Sequence, residues 1–208
     1  MRNIRRRLKV WELALGIGLL AAVLAGAFLD RAEAELSDSL VRLHVVAQSD
    51  DPADQRVKLA VRDRVLAYLT PLLAETKTPD EAKNIIAQNL PEVEALSVQV
   101  LRENGFDLSA RAGLEHAAFP TKTYNGFALP AGDYDALRVV IGEGRGQNWW
   151  CVVFPPLCMT AAEEVTQTAA TGGLSDDQIG LITEDGDSYV FKFKCLEWWG
   201  QLKGFFGA

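Results

Sequence analysis

Val41-Arg42-Leu43-His44-Val45 alternates apolar and polar side chains, and Ser49-Asp50-Asp51-Pro52 follows almost at once. Alternation with a period of two predicts a half-buried strand over residues 40–47. The Ser/Asp cluster supplies capping oxygens, and a proline just inside a helix start wastes no backbone donor. After it Val57, Val61, Val65 and Tyr68 recur at helical spacing among Arg56, Lys58, Arg62 and Arg64. That pattern is an amphipathic helix of about four turns, ending near Pro71.

Working toward the C-terminus, Thr78-Pro79-Asp80-Glu81 is a capping box with proline at the first helical position. Ala82, Ile85, Ile86 and Leu90 give this second helix its apolar face. Pro91 opens a third, carrying Val93, Leu96 and Val100, with Gly105 as its stop. From Phe106 the period changes to two. Residues 108–114, 122–129, 134–141 and 149–154 read as strands, separated by Phe119-Pro120, Pro130-Ala131-Gly132-Asp133 and Gly142-Glu143-Gly144-Arg145-Gly146. Short connections favour antiparallel pairing. The expected fold class is therefore α+β: an N-terminal strand and three helices packed on a mostly antiparallel sheet.

Residues 35–158 form the main domain on this reading. Residues 159–188, rich in Ala, Thr, Gly, Asp and Glu without an apolar period, read as a flexible insert. Residues 189–208 bring back an alternating strand, Tyr189-Val190-Phe191-Lys192-Phe193. An aromatic tail with Trp198-Trp199 then completes the domain.

At the other end, Arg2, Arg5, Arg6, Arg7 and Lys9 precede an uncharged run from Leu13 to Leu29. A basic start followed by an apolar stretch is an export signal. Residues 1–34 are thus a signal peptide, cleaved between Ala34 and Glu35 after Ala32-Glu33-Ala34, or a retained membrane-anchor helix. Both readings place residues 35–208 outside the membrane. The whole chain has a net charge of −7, and residues 1–34 hold six of its 21 basic and three of its 28 acidic residues. The remaining 15 basic and 25 acidic residues leave a net of −10. An acidic domain does not attract nucleic acid or anionic lipid, so membrane contact is expected only through the N-terminal segment.

No catalytic constellation stands out. Gly142 to Gly146 lacks the Lys-Ser/Thr pair of a phosphate loop and precedes a strand, which makes it a hairpin turn. G-x-S-x-G and S-x-x-K are absent, and the only histidines are His44 on the first strand and His116 in a strand connection. Two histidines without metal-ligand spacing describe no metal site. No cofactor motif and no site for a small-molecule substrate is visible.

Cys151 and Cys158 are separated by six residues, two of them prolines, and chain reversal there can bring them within bonding reach. Their disulfide is the preferred pairing; a pair involving Cys195, or three free thiols, are the alternatives. Trp149-Trp150 should point to opposite faces of a strand, one inward and one outward. A partner-binding surface is expected from Phe119, Pro120, Thr121 and Lys122, the outward member of Trp149 and Trp150, and the Phe154-Pro155-Pro156 tip. The competing reading gives these prolines to turns and these aromatics to the core.

Four stretches carry a resemblance to a known family: Val41 to Asp50 leading into Gln55-Arg56-Val57-Lys58, Phe119 to Tyr124, Leu129 to Tyr134, and Asn148 to Cys158. They resemble stage II sporulation protein R, a family of intercompartmental signalling proteins. The resemblance implies export from the forespore into the intermembrane space. It also implies a partner there, a membrane-embedded aspartic protease of the mother cell, which when activated cleaves the precursor of sigma factor E. It brings no catalytic residue with it. The chain departs from the family pattern in the 159–188 insert and at Cys195. Two alternatives of other classes are an exported cell-wall hydrolase using His44 or His116 as base, and a wall-binding module stacking sugars on Trp149 or Trp198.

Overall fold

The computed structural model describes residues 2–159 and 164–183. Helix α1 (Arg2–Asp38) leads into strand β1 (Val41–Val46), and then come α2 (Pro52–Leu73), α3 (Pro79–Gln88) and α4 (Leu90–Glu103). Strands β2 (Ala110–Phe119), β3 (Lys122–Thr123), β4 (Ala128–Leu129), β5 (Gly132–Ile141) and β6 (Asn148–Phe154) follow. A short 3-10 turn and helices α5 (Val165–Thr171) and α6 (Asp176–Thr183) complete the described chain.

The capping chemistry forms as the sequence implies. Asp51 accepts from the Ala53 N–H ahead of Pro52, and Thr78 accepts from Glu81 N–H ahead of Pro79. Helix α2 does not end at Pro71. It continues to Leu73, because Leu69 and Leu73 are buried on the same face and hold the last turn despite the missing proline donor.

The main sheet has the order β2-β5-β1-β6. It is mostly antiparallel, with one parallel pair, β1 with β5. The long helical excursion after β1 lets the chain return alongside it in the same direction. Strand β1 therefore sits inside the sheet, and the Gly142–Gly146 connection is not a hairpin: it steps over the end of β1 to reach β6. Gly146 and Arg145 donate to the carbonyls of Ala47 and Gln48. A Cβ on Gly146 would lie 2.2 Å from the Ser49 carbonyl oxygen, so the crossing needs glycine there. Residues 122–129 are likewise two short strands of a separate ribbon, β3 with β4, turned at Gly126. Strand β2 extends to Phe119, placing His116 within it rather than in a connection.

Alternation along the strands divides the sheet into two faces. Leu43, Val45, Leu137, Val139, Cys151 and Val153 pack under α2, α3 and α4 together with Val61, Val65, Ile86 and Val100. The opposite face carries Tyr134, Ala136 and Val152 beneath Leu36, Leu40, Phe127 and Leu129. Within the expected flexible insert at 159–188, the described residues 164–183 are folded, which corrects that expectation for this part. Helices α5 and α6 lie here and, with Leu174 between them, bury Val165, Ala169, Ile179 and Ile182 against this second face. Their apolar positions fall in helices of 7 and 8 residues, too short to establish a period.

Helix α1 exposes Leu13, Leu15, Ile17, Leu19, Leu20, Val23 and Leu24, while Leu36 near its end is buried in the second core. Among the described residues no helix is long and apolar enough to cross a membrane. The expected strand at 189–193, Cys195 and Trp198-Trp199 lie outside the described residues.

Candidate functional site

A groove of about 420 Å³ runs over the outer edge of β6. Gln55, Lys58 and Leu59 of α2 form one wall. Lys122, Thr123 and Tyr124 form the other, and Gln147 to Trp150 form the floor. The two tryptophans point to opposite faces, as neighbours on a strand must. Trp149 packs beside the helical core with the Arg62 guanidinium 4.4 Å from its ring centre. Trp150 lies on the other face, where Lys122 Nζ sits 4.4 Å from its ring centre and His44 stacks on it at 5.9 Å. Each indole thus holds a cation against its π face.

Lys58 is almost wholly buried, and Nζ donates to Gln55 Oε1 at 2.6 Å and to the Gln147 carbonyl at 3.0 Å. Burial pushes its pKa down, opposed by the field of Asp50. Asp50 itself accepts from the Gln147 N–H.

Beneath the groove lies a residue that sequence reasoning passed over. Arg42 is fully buried, its guanidinium 4.6 Å from the Phe119 ring centre and 4.8 Å from that of Tyr134. Its Nε donates to the Cys151 carbonyl and Nη2 to the Tyr124 hydroxyl, which in turn donates to the Trp150 carbonyl. Nη1 has no hydrogen-bond partner. An arginine in an alternating strand reads as solvent-facing, and only the Phe119 and Tyr134 rings and the Tyr124 hydroxyl, arriving from elsewhere in the chain, enclose it. The same packing corrects part of the expected partner surface. Phe119, Phe154 and Pro155 are buried and hold the fold together, whereas Pro120 is exposed and Thr121, Lys122 and Pro156 are half-buried. Of that set, the groove brings together Lys122, Trp149 and Trp150.

Cys151 and Cys158 are joined by a disulfide, Cα atoms 5.7 Å apart, across the cis Phe154-Pro155 bond. Ala34 and Glu35 are exposed within the last turns of α1. Just beyond the bond between them, the Glu35 carbonyl and the Ser39 hydroxyl accept from Gln178 of α6.

The two histidines lie on opposite faces of the sheet. His44 bonds Asn148 Oδ1 through Nε2, with Glu115 3.7 Å from Nδ1. His116 reaches Asp135 at 3.0 Å on the helix-covered face, and Lys83 completes that cluster at 2.8 Å. Neither imidazole has a serine, threonine or cysteine as its hydrogen-bond partner among the described residues. Nor is there a metal-holding cluster among them.

A family model described as stage II sporulation protein R matches residues 37–164, from the last turn of α1 to the threshold of α5. The chain belongs to that family. Stage II sporulation protein R of Bacillus subtilis (strain 168) is 37% identical over 123 residues. That match covers 59% of this chain and 55% of the relative, so the chain spans little more than half of the curated protein it resembles. No solved structure matches. The family match takes in β1 to β6 and every wall of the groove; α5 and α6 lie beyond it.

Proposed function

We propose that this member of the stage II sporulation protein R family is an exported intercompartmental signal. It crosses the forespore membrane by its N-terminal segment and acts in the intermembrane space. There it activates a membrane-embedded aspartic protease of the mother cell by protein–protein contact, leading to processing of pro-sigma E. Family membership over residues 37–164 carries this reading. Two observations support contact rather than chemistry. The histidines are held apart on opposite faces, and the groove over β6 is lined by two indoles, a side-chain type enriched where partners bind.

The test is reconstitution. Co-expression of this chain, the protease and pro-sigma E in a non-sporulating host should yield processed sigma E, and omitting this chain should abolish it. Substituting alanine for His44 and His116, one at a time, should leave processing in place wherever the variant still folds. Processing without the chain, or release of wall fragments by the purified chain, would overturn the reading.

A further inference from the structure

We infer that the groove over the edge of β6 is the docking site for an extended, acidic segment of a partner protein, with carboxylates meeting Lys58 and Lys122. This deepens the proposed function by assigning a surface and a chemistry to the contact.

The floor of the groove is strand backbone at a sheet edge. Within the described residues β6 pairs with β1 alone. Its other edge carries no strand among the described residues, which is the condition for strand addition.

Charge then selects what lies there. The chain beyond residue 34 is strongly acidic, yet both groove walls present a lysine. Lys122 has a ring beneath it and no carboxylate in contact among the described residues. Lys58 is the sharper case. Its nearly buried ammonium is bonded to two neutral oxygens and keeps a third N–H; Asp50 acts on it only through its field, without a direct ion pair, and such a charge is costly to desolvate. A partner carboxylate would supply the direct ion pair. The net negative charge of the chain beyond residue 34 opposes an acidic segment in general, and the paired lysines make this groove locally favourable to one. A neutral sugar chain would gain nothing from the two cations, and the Trp150 ring it would stack on is already engaged by Lys122 and His44.

The test is a titration of the isotopically labelled full chain, followed by NMR. The probes are an eight-residue peptide alternating Glu and Val, its Lys–Val counterpart, and purified cell-wall glycan. The Glu–Val peptide should shift amides of residues 147–150 and 122–124 and the indole N–H signals of Trp149 and Trp150. Lys122→Glu should weaken that binding by about fivefold or more, the scale of one ion pair lost and repulsion gained. Lys122→Arg should recover most of it, and Lys77→Glu, an exposed lysine elsewhere, should change nothing. Equal binding of the Lys–Val peptide, shifts confined to another surface, no shift at all, or binding of glycan alone would each overturn the assignment. The titration decides the groove without the protease. If it succeeds while reconstitution yields no processing, the groove stands and the functional reading falls. If wild-type chain drives processing while the titration fails, the function stands and the acidic-segment site is wrong.

Discussion

The two faces of the sheet are covered by different kinds of structure. Over one lie α2, α3 and α4, helices of 22, 10 and 14 residues that each bring an apolar stripe. Over the other lie fragments: the last turn of α1, the two-residue strands β3 and β4, a 3-10 turn, and the short helices α5 and α6. At the centre of the second lies a fully buried charge, Arg42, held by two rings and two hydrogen bonds. A core covered by pieces too short to fold alone depends on a well-anchored centre in the sheet beneath them. Phe119, Tyr134, Tyr124 and Cys151 meet at that arginine.

The largest effect should therefore come from Arg42. Arg42→Ala removes the side chain between Phe119 and Tyr134 and strands the Cys151 carbonyl and Tyr124 hydroxyl, at a cost of about 4 kcal/mol. Urea unfolding that shows less than about 1 kcal/mol would mean the second face does not rest on this residue.

Next comes a direct comparison of the faces. Ile86→Ala under the helices and Ile182→Ala on α6 both empty fully buried sites, and each should cost about 3 kcal/mol. A near-neutral Ile182→Ala with a costly Ile86→Ala would show that α5 and α6 are loosely attached.

Tyr134 sharpens the electrostatic side. Burial pushes its phenol up to about 12 against the opposing pull of Arg42. Because the folded state favours the neutral form, this stability is fully present below about pH 10, the unfolded value, and is lost as pH rises from there through about 12. Tyr134→Phe forfeits the bond to the Pro130 carbonyl, about 1 kcal/mol near neutrality. In the alkaline range it should fall off less steeply than wild type, which parallel pH titrations of melting temperature would reveal.

The smallest effect belongs to the half-exposed rim of the helix-covered face. Hydrogen bonds from Lys83 and then His116 hold Asp135 below its ordinary range, despite desolvation. Its contribution is present above about pH 4, the unfolded value, and is lost as pH falls through the lower folded value. Exposure screens it, so Asp135→Asn should cost well under 1 kcal/mol at neutral pH and nothing in strong acid. A larger loss would mark the cluster as part of the first core.

Where an element carries its own periodicity, the chain announces it. The strand at Val41–Val46, the capping residues Asp51 and Thr78, the three amphipathic helices and the opposed directions of Trp149 and Trp150 follow from spacing, because local sterics and one buried face suffice to determine them. Only the tertiary structure placed β1 inside the sheet, since which strand pairs with which depends on the path of the helices between them. It alone divided residues 122–129 into a ribbon and folded α5 and α6 onto the second face. It also turned Phe119 and Phe154 inward and enclosed Arg42. A side chain's solvation is set by whatever arrives from distant parts of the chain, and no local period records that arrival. Lys122, Lys58 and the two indoles are each readable as residues; their convergence on one edge of β6 is a property of the fold.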